Sequence, residues 1–172
     1  MNAMKRVLFA ALVLAAASYY SVQPLLARHP HFAKTVTAKV GEVEAKLGYF
    51  TAPANEEHVK TAPMNAFNAG FATLTLSGDL TFGEVTLKAG EYTVGAVKKG
   101  DADWTMGLHQ GKLDFGAEPD MAKVIKLDSQ YETSQGNAPH IYFDILPGHG
   151  KQEGKYVLIW HFGRHYLSGV IS

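Results

Sequence analysis

Residues 83–104, GEVTLKAGEYTVGAVKKGDADW, constrain the fold of this chain more than any other stretch. Val85 and Leu87 alternate with Thr86 and Lys88. Beyond Ala89-Gly90, Tyr92, Val94 and Ala96 alternate with Thr93, Gly95 and Val97. A period of two sends successive side chains to opposite faces of a strand. Gly90 offers the positive φ of a tight turn at little steric cost. Residues 98–103 read as a polar loop, and Trp104, Met106 and Leu108 resume the pattern. The stretch predicts an antiparallel meander with one dry face.

The same grammar recurs along the chain. Residues 71–77, 80–82, 121–127 and 140–146 read as strands, the last with Ile141, Phe143 and Ile145 on one face. Residues 156–162 and 165–171 close the chain as a hairpin around Gly163-Arg164. Segments 51–69, 110–120, 128–139 and 147–155 read as loops or tips, rich in Pro, Asn and Gly. Residues 34–50 admit two readings. Val36, Val40, Val43 and Leu47 fit a helical stripe. Alternation on either side of Gly41-Glu42 fits a hairpin whose Gly-first tip suits a type II′ turn. Eight to ten short strands with Gly and Pro punctuation predict an all-β domain over 34–172, an antiparallel β-sandwich or barrel-like body.

Gly83, Thr86-Leu87, Ala89-Gly90, Tyr92 and then Trp104-Thr105 follow one another in an order that resembles the signature of the domain of unknown function 2911 family. That signature runs Gly, a short spacer, Leu, Pro-Ala-Gly-Thr-Tyr, then Trp-Thr. Lys88 stands here in place of the Pro and Glu91 in place of the Thr. The aromatic-rich Leu158-Ile159-Trp160 before a short turn and a last strand is also similar. Segment 63–70, PMNAFNAG, lacks the Trp and Arg that many members carry, so no role of those residues is carried over. The resemblance spans about residues 34–172 and is strongest over 71–108 and 155–171; it marks a divergent member. It implies a secreted or periplasmic bacterial β-domain without an established activity. It also tips 34–50 toward the hairpin, because the family opens with two such strands ending near a Tyr and a Pro, here Tyr49 and Pro53.

The N-terminus carries an address. Lys5 and Arg6 precede the apolar run 7–17, VLFAALVLAAA, and Ala15-Ala16-Ala17 place small residues where a signal peptidase reads. Residues 1–17 are thus expected to be a signal peptide. The alternative is a hydrophobic helix retained over 7–27 as a membrane anchor, since no charge occurs there. Residues 18–33 form a connector. Either way the domain is exported, to the periplasm or the outside of a bacterial envelope, and membrane contact arises only if the helix is uncleaved. Sixteen basic and sixteen acidic residues cancel, which gives no electrostatic footprint for nucleic acid. The absence of Cys excludes disulfides, thiolate metal sites and Cys nucleophiles.

Candidate chemistry is thin. Among eight histidines, His161 and His165 flank the last turn. A three-residue loop, 162–164, would put them on one face, where zinc or copper would suit them with His140 or Asp144 as a third ligand. A two-residue loop puts them on opposite faces. The run 148–155, GHGKQEGK, has the wrong Gly spacing for a phosphate loop, and Tyr156 stands where Ser or Thr should follow Lys155. Asp114, Glu118, Glu132 and Asp144 are the carboxylates from which a hydrolytic pair would be drawn, and no G-x-S-x-G elbow occurs. Trp104, Tyr142 and Trp160 are the aromatic candidates for a ligand site, although Trp160 shares its face with Leu158 and Phe162, as a core residue would.

The expectation is a non-enzymatic envelope domain that binds or assembles, self-association through sheet edges included. No cofactor is expected. The alternative is a small-ligand or metal-binding module using His161 and His165, and a hydrolase ranks third.

Overall fold

A computed structural model describes residues 31–82, 85–114 and 116–171. The apolar segment read as signal peptide or anchor, and most of the connector, lie outside these residues. Among the described residues no helix is long and apolar enough to cross a membrane.

Strands β1 (Ala33–Val40) and β2 (Val43–Phe50) settle the ambiguous opening as a hairpin, with Val36 opposite Leu47. Gly41 sits at φ +57° at the tip, a conformation in which L side chains are costly. The helical stripe is not realised. The β-branched run before Gly41 favours extended backbone, and the register turns Ala45, Leu47 and Tyr49 into the core.

Segment 51–69, read as a loop, contains a short helix, α1 (Glu56–Thr61). Asn55 caps it by accepting from the Glu57 N–H at 3.0 Å, Glu56 and Glu57 occupy the first turn, and Lys60 the last. These are helix signals, short enough to be masked by the surrounding Pro and Asn. Strand β3 (Phe67–Leu76) therefore starts earlier than the alternation at 71–77 suggests. Next come β4 (Leu80–Phe82), β5 (Val85–Leu87), β6 (Gly90–Gly100) and β7 (Asp103–Gln110). The 121–127 stretch splits into a single 3-10 turn and β8 (Val124–Lys126). The expected loop 128–139 holds β9 (Asp128–Glu132). Strands β10 (Ala138–Pro147), β11 (Tyr156–Gly163) and β12 (His165–Ile171) complete the chain.

The strands form two antiparallel sheets, ordered β1-β2-β3-β6-β7-β8 and β10-β11-β12-β9, beside a β4–β5 hairpin. Leu47, Leu74, Val94, Met106 and Leu108 of the first sheet meet Phe143, Ile145, Leu158 and Ile171 of the second, all fully buried. The Tyr156 hydroxyl crosses the layers to donate to the Val43 carbonyl at 2.6 Å. Both margins of the sandwich are stitched. On one side the Ile141 N–H donates to Ala52 O and the Ala54 N–H to Pro139 O. On the other, β8 runs through buried Leu127 into β9, and the Met106 N–H donates to Ser129 Oγ at 3.0 Å. The result is a β-sandwich close to a flattened barrel.

One expectation about the central meander fails. Strand β6 is buried on both faces from Tyr92 to Lys98. Phe67 folds over the outer side of Gly95, where an added Cβ would run into the ring and lie 2.5 Å from Asn68 O. Residues 111–113 cross beside it, with the Leu113 N–H donating to Thr93 Oγ1. A central strand with small residues on its outer face gains a second dry side wherever another segment lies close.

Candidate ligand-binding site

The inner face loses its close packing at one end. There the start of β3, the end of β6, the start of β7, and strands β9 to β12 surround an open cavity of about 690 Å³, and α1 lies across it. The walls are apolar: Ala69, Gly70, Ala96, Ile141, Phe162 and Leu167, with Trp104 from one sheet and Trp160 from the other. Gly70 is required by this arrangement, since a Cβ there would stand 2.8 Å from Phe143 Cζ and 3.1 Å from the Trp160 ring. Its absence lets Trp160 stack on Phe143 at 5.1 Å between centroids. Both of the chain's tryptophans thus line the cavity. Their indole Nε1 atoms are buried and have no hydrogen-bond partner among the described residues. Neither is reached by solvent, so in this shape polar contact with an occupant comes from the rim.

The rim is organised by α1. Tyr131 Oη lies 2.7 Å from His165 Nδ1, and His165 Nε2 lies 2.7 Å from Glu56 Oε2. Glu56 Oε1 also accepts from the Arg164 N–H at 3.3 Å. A carboxylate only accepts hydrogen bonds, so Nε2 carries the ring proton toward Glu56. With the imidazole neutral, Nδ1 is the acceptor and the Tyr131 hydroxyl donates to it. The hydrogen bond from His165 and the Arg164 N–H hold the Glu56 carboxyl below its ordinary range, against a smaller opposing effect of burial. Burial, with Glu56's charge behind it, pushes the Tyr131 phenol up.

The other end of α1 is held by Lys98, which is 3% exposed. Its ammonium donates to Val59 O at 3.1 Å and Lys60 O at 2.9 Å, and Asp101 Oδ1 lies 3.4 Å away. It also sits 5.8 Å from the Trp104 ring centroid, within cation–π range. The Lys98 carbonyl accepts from the Asn65 N–H. One side chain read as part of a polar loop is therefore a buried clamp on the segment that covers the cavity. A cation near the last carbonyls of a helix is favourable there.

The sequence candidates separate. Trp104 and Trp160 meet at the cavity. Tyr142 does not: it projects from the outer face of β10, 42% exposed, and its hydroxyl donates to Asp144. The last turn is the two-residue one, since Phe162 pairs with His165 and His161 with Tyr166. His161 and His165 consequently face opposite ways, and His165 is already engaged by Glu56 and Tyr131. His140 is exposed beside Pro53 on β10. Among the described residues no group of three His, Asp or Glu is placed to hold a metal ion. Of the four carboxylates, Glu132 accepts from Ser134 and Gln135, Asp144 accepts from Tyr142 and its own chain, and Asp114 and Glu118 are exposed. Sequence reasoning missed Glu56, Tyr131 and Lys98. The first was findable from the Asn-Glu-Glu helix start; the other two carry no local signal.

No family model, curated protein or solved structure matches this chain.

Proposed function

We propose that this protein is a non-enzymatic binding module, an exported envelope β-domain that holds a small, largely apolar molecule in the cavity between its sheets. The observation that carries the reading is the cavity itself. Its volume lies in the range of small-molecule sites, and apolar walls with a few convergent polar groups are what such sites share. The likeness to the domain of unknown function 2911 family and the basic, apolar N-terminus support export in the same reading.

Binding is favoured over catalysis by the state of the rim. The Tyr131–His165–Glu56 line has the order of a nucleophile, a base and an orienting carboxylate. Yet burial and the nearby carboxylate raise the phenol, which opposes its use as a nucleophile near neutral pH. Assembly through sheet edges has less support. Lys34 and Lys39 punctuate β1, and Pro139 and Pro147 interrupt β10, devices that blunt edge pairing.

The test is solvent extraction and mass spectrometry of protein purified from its native envelope, followed by titration of the emptied protein with N-phenyl-1-naphthylamine. A co-purified apolar molecule, or saturable one-to-one binding lost in Ala69→Phe, supports the reading. An empty protein that never saturates with the dye overturns it.

A further inference from the structure

The rim also specifies what the occupant presents to it, an inference that rests on the cavity being a binding site. Glu56 fixes the His165 proton on Nε2, and neutral His165 then accepts a hydrogen bond from the Tyr131 hydroxyl at Nδ1. The Tyr131 oxygen keeps only lone pairs. The carboxylate behind the relay adds a negative charge close to the same rim. Both features reject an anionic head and accept a donor.

We propose that the cavity selects an uncharged apolar molecule ending in a hydrogen-bond donor, a hydroxyl or an N–H, which donates to the Tyr131 oxygen. Carboxylates and sulfates on the same apolar body are excluded. An acceptor-only head such as an ether finds no partner at Tyr131. The raised phenol keeps its proton over the neutral range, so the hydrogen-bond direction along the relay is stable there.

The test uses the full chain and three probes of equal chain length: 1-decanol, methyl nonyl ether and decanoate. Because both tryptophans line the cavity, intrinsic tryptophan emission reports occupancy without a label. Titrations are run at about pH 8. The expected order is decanol tighter than the ether by about five- to tenfold, the worth of one hydrogen bond, with decanoate weaker than both. Tyr131→Phe keeps the ring and removes the oxygen, and it brings decanol down to the affinity of the ether. Equal binding of all three overturns the donor rule and leaves the cavity reading standing. Decanoate binding tightest also overturns the rule. No saturable change with any probe overturns the rule and the cavity reading together. Should Tyr131→Phe fail to fold, the order of the three probes on the unmodified protein decides alone.

Discussion

Glu56 Oε2 sits 2.7 Å from His165 Nε2, joining residues 109 positions apart in sequence. The contact ties the first residue of α1 to the turn between β11 and β12, and no side chain of α1 is buried. The helix is thus held over the cavity by polar contacts at its two ends rather than by an apolar face.

The Glu56 contact has a pH signature. Its carboxyl is held below its ordinary value of 4.5, first by the His165 hydrogen bond. A depressed acid contributes stability above its unfolded pKa and loses it as pH falls through the folded one. Glu56 is half exposed, so the pair resembles surface pairs that contribute roughly 0.2–1 kcal/mol. Glu56→Gln should lower Tm by roughly 1–4 °C at neutral pH, and the deficit should shrink as pH falls below 4.5. Thermal scans of both proteins across pH check this. A deficit that stays constant into acid would remove the charge from the explanation.

Gly163 is coupled to the same carboxylate. It sits at φ +58°, and an added Cβ would collide with Glu56 Oε1. Gly163→Ala should cost about 1–2 kcal/mol for the left-handed backbone, and more because Glu56 must move. In a Glu56→Ala background only the backbone cost remains. Urea unfolding of the four proteins in the cycle should show a coupling of about 0.5 kcal/mol or more. Strict additivity would mean that Glu56 does not occupy the space beside the turn.

Lys98 predicts a local effect. Lys98→Met keeps most of the buried stem and removes the donors to Val59 O and Lys60 O. Losing hydrogen bonds from a charged donor costs roughly 1–3 kcal/mol. The loss should concentrate in α1 and in residues 62–65. Hydrogen exchange followed by mass spectrometry should show amides in that segment exchanging about tenfold faster or more, with β6 and β11 unchanged. Uniform acceleration across the sandwich would make Lys98 a general core residue instead.

Most of the fold was legible because strands write themselves locally. Ile141, Phe143 and Ile145 announce the inner face of β10, and Gly163-Arg164 announces the last turn. The elements that make the site did not announce themselves. Tyr131 lies in DSQYE, where polar residues dominate because β9 is the edge strand of its sheet, paired with β12 along one side, and none of its residues is fully buried. Lys98 looks like a solvated charge beside Lys99, and its burial comes from α1 lying over it. His165 was legible as a candidate, but its partners were not, since Glu56 and Tyr131 reach it from distant segments. Contacts between remote segments are set by sheet order, and period-two patterning carries no information about that order.

Tyr142 and Asp144 provide an independent check on the outer face of β10. They stand two residues apart on the same side of the strand, and the phenol donates to the carboxylate. That hydrogen bond, with burial and the carboxylate's charge behind it, pushes the Tyr142 phenol up to about 12. A raised acid stabilises the fold below its unfolded pKa of 10.0 and loses that contribution as pH rises toward about 12. Tyr49, Tyr92, Tyr131 and Tyr166 are raised mainly by burial, so a charge-removing change at position 144 should move Tyr142 most, with a smaller effect on Tyr49, which also feels the Asp144 charge. Carbon-13 NMR of ring-labelled tyrosine should show one resonance that titrates near the top of the range. In Asp144→Asn that resonance should fall by roughly one unit or more. If the titration of Tyr142 is the same in both proteins, the hydrogen bond is not what holds its proton, and its orientation on the strand needs another cause.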